Sequence, residues 1–180
     1  MSSEEYQRNQ LWQIASEPFY QCYYAELVAS HLSRHWLIVD ELARVMIALT
    51  AAGSVVSGWA LWNNPQFKIL WSIIAGLGAV LAILHTALRV PERLKELNNT
   101  QQSFTGLRID LETFRYKMKL NPNFSTEAFN PDFLTLRKRY SEGSQRVPND
   151  ILLTKRLRRN AQVELNTLLR NEVTTEQRRS

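Results

Sequence analysis

Two short runs in the last third of the chain carry its densest chemistry. Arg137-Lys138-Arg139 is followed directly by Tyr140, and Lys155-Arg156 by Arg158-Arg159. Guanidinium and ammonium groups suit phosphate, Arg through two parallel hydrogen bonds and Lys as a point charge, and a neighbouring Tyr offers a ring on which a base can stack. Arg137, Lys138, Arg139, Tyr140, Lys155, Arg156, Arg158 and Arg159 are therefore the nucleotide-binding candidates. Consecutive helical positions point in different directions, so each run spreads over a broad surface. Solvated helix faces, or attraction to anionic lipid headgroups, explain the same residues. The segment from Arg89 onward also carries 11 acids, which suits a nucleotide better than a DNA or RNA duplex.

A second group is uncharged. Thr50, Ser54 and Ser57 recur at helical spacing, with Gly53 beside them, so their hydroxyls share one face. Such a stripe prefers another helix, or water, to lipid, although the hydroxyls can also bond their own i−4 carbonyls. Asp40 and Arg44 precede it at the i,i+4 spacing of an ion pair, or as charges at a pore mouth. Thr50, Gly53, Ser54, Ser57, Asp40 and Arg44 are the pore or helix-interface candidates. Small residues also repeat four apart, as Ser54/Gly58 and Gly78/Ala82, a pattern that allows close helix approach.

Signatures of catalysis and metal binding are missing: there is no Gly-rich phosphate loop and no HExxH. His31 and His35 are spaced i,i+4, but the intervening Ser33 and Arg34 supply no third ligand, so no metal site is expected. The single Cys22 cannot form an intramolecular disulfide. No enzyme and no resident cofactor are expected. His85 is a protonatable group near the end of a long apolar stretch.

The elements that must hold these residues follow from the charge pattern. Val45 to Trp62 has no charge over 18 residues and Ile69 to Leu88 none over 20, with Lys68 alone between Arg44 and Arg89. Stretches of this kind predict two membrane-spanning helices joined at Asn63-Asn64-Pro65. Net charge is −3 through Arg44, +1 from Val45 to Leu88 and +7 from Arg89 onward, so the least basic loop lies between the spans and both termini are expected in the cytoplasm. A polar arm of more than 40 residues precedes the first span, unlike a secretory signal, so the span should be retained. A hairpin of two helices cannot enclose a path for water, so any channel must be oligomeric.

The expected fold is thus all-α: an N-terminal helical arm over 1–44, a transmembrane hairpin over 45–88 with spans 45–62 and 69–88, and a cytosolic helical bundle over 89–180. Ser16-Glu17-Pro18 predicts the start of the arm helix, with an apolar side at Tyr23, Leu27 and Leu32, running on towards the first span. Pro91-Glu92 opens a helix through about Leu120 whose apolar side is Leu97, Phe104, Leu107, Leu111, Phe114 and Met118. Asn130-Pro131 predicts the start of a short helix to about Ser141. Pro148 to Asp150 introduces a last helix to about Asn171, with Leu153, Leu157, Ala161, Leu165 and Leu168 on its apolar side.

With "ELVASHLSRHW" in the arm, two small-residue-rich spans, "RVPERLKELNNTQQSFTGLRIDLETF" after the second and a helical tail, the chain resembles the bacterial SLATT proteins, two-transmembrane effectors associated with SMODS nucleotidyltransferases and SLOG proteins. The resemblance covers most of the chain and rests on layout. It implies an antiphage effector that oligomerises in the bacterial inner membrane and disrupts it, or forms a pore, when a cyclic oligonucleotide from a neighbouring cyclase changes its state. It brings no catalytic residue and no ligand residue. The alternative is a membrane-anchored helical module that recruits a cytosolic partner without opening the membrane.

Overall fold

The computed structural model describes residues 3–56, 65–121, 123, 125–144 and 150–179. They form five helices, α1 (Ser3–Val56), α2 (Pro65–Ala87), α3 (Val90–Leu120), α4 (Thr126–Ser144) and α5 (Lys155–Arg179), and no strand among the described residues. The chain divides into two compact units. The first comprises Met1–Leu32 and Leu97–Ser180; the second is Ser33–Glu96.

The first unit is built on α1 and α3, joined by α4 and α5. Its core is Leu11, Ala15, Phe19 and Cys22 of α1 against Phe104, Leu107, Leu111, Phe114 and Met118 of α3, closed by Phe133 and Leu136 of α4. The expected side of α3 is the one that packs: all six of its residues are buried. Leu157, Ala161 and Leu165 of α5 are buried as well, with Leu153 and Leu168 half-buried. Side-chain hydrogen bonds tie the helices at the rim. Arg108 donates to Glu26 at 2.7 Å, Arg139 to Asp110 at 2.6 Å, and His31 meets Glu164 at 2.7 Å. Burial alone would lower the Arg108 pKa, but the Glu26 hydrogen bond and charge outweigh it and hold the guanidinium above its ordinary value. Arg115 lies over the rings of Phe19 (4.6 Å), Trp12 (5.0 Å) and Tyr20 (5.7 Å). Its Nε is buried without a hydrogen-bond partner, so the rings take the place of an acceptor.

Three helix starts differ from the sequence expectation. The first helix begins at Ser3, and Pro18 lies inside it. Proline there forfeits the bond to the Ile14 carbonyl and ordinarily costs about 3 kcal/mol, yet Leu11, Ala15, Phe19 and Cys22 are buried on both sides of it and packing carries the helix through. Pro131 likewise sits inside α4, which starts at Thr126. The last helix starts at Lys155, because a turn over Asp150–Leu153, closed by the Leu153 amide on the Asp150 carbonyl at 3.1 Å, precedes it; Pro148 and Asn149 lie outside the described residues. Asp150 Oδ1 accepts the Leu152 amide (2.8 Å), and Thr154 Oγ1 accepts the Leu157 amide (3.2 Å) as the cap.

Cys22 is wholly buried, and burial, with the Glu26 charge a lesser cause, pushes its thiol up to about 12. A raised acid pKa keeps its contribution to stability below the unfolded value and loses it as pH climbs towards the folded one, so this contribution declines between pH 9.0 and about 12. At pH 8 the thiolate fraction falls from roughly a tenth to roughly one in ten thousand, and burial also blocks the reagent, so native Cys22 should react with a maleimide at least about 1,000-fold more slowly than the unfolded chain. Time-resolved labelling with and without denaturant measures this ratio.

In the second unit, α1 runs without a break to Val56 and so enters the first expected span. The part of that span after Val56, and the connector with Trp59 and Trp62, lie outside the described residues. Between α2 and α3, Arg89 adopts φ 49°, and the Leu88 amide bonds the Leu84 carbonyl at 2.8 Å. Among the described residues no single helix is long and apolar enough to cross a membrane; one bent pair, Ser72–Ala87 with Val90–Leu120 at 46°, passes that test of length and composition together.

Candidate functional site

The basic runs separate once folded. On α4, Arg137 and Lys138 are exposed, and Arg139 turns to Asp110. Tyr140 points the other way and lines a cavity of about 220 Å³ with Gln21, Tyr24, Phe104, Leu153 and Arg158 among its walls. Lys155, Arg156 and Arg159 are exposed on α5 and do not line it. The structure thus brings together one residue from each run, Tyr140 and Arg158, and adds Tyr24 and Gln21 from α1, which no local pattern singled out. The cavity has an aromatic wall, a guanidinium and an amide. That set suits a planar ring with an anionic group. Burial above all, with lesser contributions from neighbouring Cys22 and Glu17, holds the Tyr140 hydroxyl above its ordinary pKa, so it remains a donor. At about 220 Å³ the space lies below the ~300 Å³ of typical small-molecule pockets. It admits one base or one sugar phosphate, and a larger ligand would extend across the surface.

The hydroxyl stripe has its described member against the partner helix. Thr50 Oγ1 bonds its own helix, to the Ile47 carbonyl at 2.8 Å and the Met46 carbonyl at 3.1 Å. Its methyl faces Gly78 of α2, where an added Cβ would stand 2.5 Å from Thr50 Cγ2. Gly78 is therefore the close-approach point of the two helices. Gly53 and Ser54 belong to α1, their side chains outside the described set, and Ser57 lies outside the described residues. Gly78→Val is expected to push the helices apart and cost roughly 1–3 kcal/mol. Thr50→Ala in the same chain should recover most of the loss, a comparison thermal unfolding in detergent can make.

Asp40 and Arg44 pair at 2.8 Å, as their spacing predicts. The carboxylate is more deeply placed than an interfacial charge: its side chain is 4 % exposed, and its Oδ1 lies 2.7 Å from Nε2 of His85 on α2. Arg44 itself is exposed. Asp40 thus links α1 to α2, a role that its distance from His85 in the chain concealed.

The exterior of this unit reverses the usual arrangement. Of the 23 large apolar side chains exposed among the described residues, fourteen lie between Leu37 and Leu84. Ile38, Leu42, Val45 and Leu49 fall on one side of α1 at helical spacing, and Ile73, Leu77, Val80 and Leu84 on one side of α2. The buried positions described in it are Trp36, Asp40, Ala43, Gly78 and Val90. Most bulky aliphatic side chains are outside, while small and polar groups share the inside with Trp36 and Val90.

No family model matches the chain, and neither a curated protein nor a solved structure was found similar to it. Among the described residues no group of three or more His, Cys, Asp or Glu is placed to hold a metal ion.

Proposed function

We propose that this chain is an oligomeric bacterial inner-membrane effector, with both termini cytoplasmic, whose hairpin disrupts the membrane or forms a pore under control of a nucleotide second messenger. The observation that carries this reading is the inverted second unit. A monomeric soluble protein rarely exposes a contiguous apolar patch beyond a few hundred Å², whereas helices in lipid turn aliphatic residues outward and keep small and polar residues for helix contacts. α2 has 23 residues, about 34 Å at 1.5 Å per residue, against a hydrocarbon core of about 30 Å. On α1, exposed Glu41 and Arg44 lie on a flank beside the aliphatic side. Lipid does not suit that flank, and a second copy or water does, which favours assembly.

The Tyr140 and Arg158 cavity supports the sensing half of the proposal. Ligand would bias the helices of the first unit, and α1 and α3 continue into the second. It acts only through unequal affinity for the two states. The purified chain, reconstituted in phosphatidylethanolamine and phosphatidylglycerol vesicles, should change the rate at which an imposed ion gradient collapses when a panel of cyclic di- and trinucleotides is added. Identical collapse across the panel, with no heat of binding by calorimetry, would remove the sensor.

A partner-recruiting anchor is the second reading. Ile109, Tyr116 and Leu120 are exposed on α3 at spacings that keep them near one side, a stripe that could receive a helix. That reading predicts a stable binary complex with no permeability change.

A further inference from the structure

We propose that Asp40 and His85 form a proton-exchange site, so that the ion the assembled hairpin passes is the proton. The inference rests on the membrane reading above and goes beyond it in naming the permeant. Within the second unit the exposed aliphatic side chains of α1 begin at Leu37, before Asp40, and those of α2 reach Ile83 and Leu84, beside His85. The pair therefore has exposed aliphatic side chains before and after it on α1 and up to it on α2, at the edge of the uncharged stretches. In that setting a buried ionisable residue is costly and serves most often as a relay or pathway group. Both carboxylate oxygens are engaged, Oδ1 by His85 Nε2 at 2.7 Å and Oδ2 by Arg44 at 2.8 Å. The nearby charges are Arg44 and exposed Glu41 on α1, and Arg89 past the end of α2, which meets Glu92 at 3.8 Å.

The chemistry balances with one proton in and one out. Under the proposal His85 carries its hydrogen on Nε2 and shares it with Asp40 Oδ1. A proton arriving at Nδ1 makes the imidazolium, Nε2 then passes its own proton to Oδ1, and the carboxyl group, turning its O–H away from Nε2, releases that proton to water on the Arg44 side. The imidazole, left protonated on Nδ1, returns by exchanging the proton between its nitrogens. Nothing is oxidised and no bond other than those to hydrogen changes. Arg44 offsets the Asp40 charge, so that carboxylate offers a sodium or potassium ion no free negative charge, while a proton needs only the imidazole.

The test uses the full chain in sealed vesicles holding a pH-sensitive dye or calcein, under a potassium diffusion potential, with and without cyclic di-adenosine monophosphate. The expected result is proton influx at least tenfold above protein-free vesicles, with calcein retained. In D40N/H85Q the amides keep a hydrogen bond between the helices but cannot titrate, and influx should fall to the protein-free level with insertion unchanged by alkaline extraction. Influx undiminished in D40N/H85Q would overturn the relay and make the pair a structural clasp. Calcein loss at the same rate in both proteins would also overturn it while leaving the membrane effector standing. Absence of both fluxes in every condition would remove the effector reading and the relay together.

Discussion

Replacing Leu77 and Val80 together by arginine should move the protein out of the alkali-resistant membrane fraction. Both are about half exposed, one turn apart on α2. If that side meets lipid, each arginine near the helix centre costs about 2.5–3.5 kcal/mol on an insertion scale, and the pair together exceeds the gain from several of the remaining aliphatic residues. If it meets water, the same substitutions fall in the surface class, within about 0.5 kcal/mol, and improve solubility. Carbonate extraction followed by immunoblotting separates these outcomes, because the two environments predict effects of opposite practical sign. Ile109, exposed in the first unit, provides the comparison: Ile109→Arg should leave the distribution unchanged.

Arg158→Ala is expected to weaken cyclic nucleotide binding by 10- to 100-fold, the loss of one or two charge-assisted hydrogen bonds worth roughly 1.5–3 kcal/mol. Tyr140→Ala removes an aromatic ring from the lining and should cost about 1–3 kcal/mol of stacking. Because both groups line one cavity, the double variant should lose less than the sum of the singles. Arg137→Ala, on α4 but outside the lining, should change affinity by less than about 0.5 kcal/mol. Calorimetric titration at two salt concentrations checks the series, since a phosphate contact weakens as salt rises. Equal losses for Arg137→Ala and Arg158→Ala would point to a diffuse basic surface.

The amphipathic pattern of α3 was legible because a soluble helix with one buried side repeats every three to four residues, and its six expected residues are the ones buried. The continuity of α1 towards the apolar stretch could be read for a related reason, that nothing in Phe19–Arg44 breaks a helix. Proline misled twice. A proline is welcome in a first turn, but Pro18 and Pro131 lie inside helices whose neighbouring turns are buried, and local preference yields to packing. The cavity was half visible. Tyr140 and Arg158 stood out as members of basic runs, yet adjacency along a helix separates residues by about 100° and sends Arg139 to Asp110. Tyr24 joins them only through the packing of α1 with α3 and α4, and the Asp40–His85 contact joins residues 45 apart. Neither carries a local signature.

The central claim, that the second unit is a hairpin embedded in lipid, is met most directly by single-cysteine labelling. Cys22 is the only cysteine, so Cys22→Ser clears the background, and Ile38→Cys, Leu77→Cys and Ile109→Cys are introduced one at a time. In reconstituted vesicles a membrane-impermeant maleimide should modify the variant at 109 within minutes and leave those at 38 and 77 protected until denaturing detergent is added. Equal labelling of all three positions in intact vesicles would contradict a lipid-embedded hairpin.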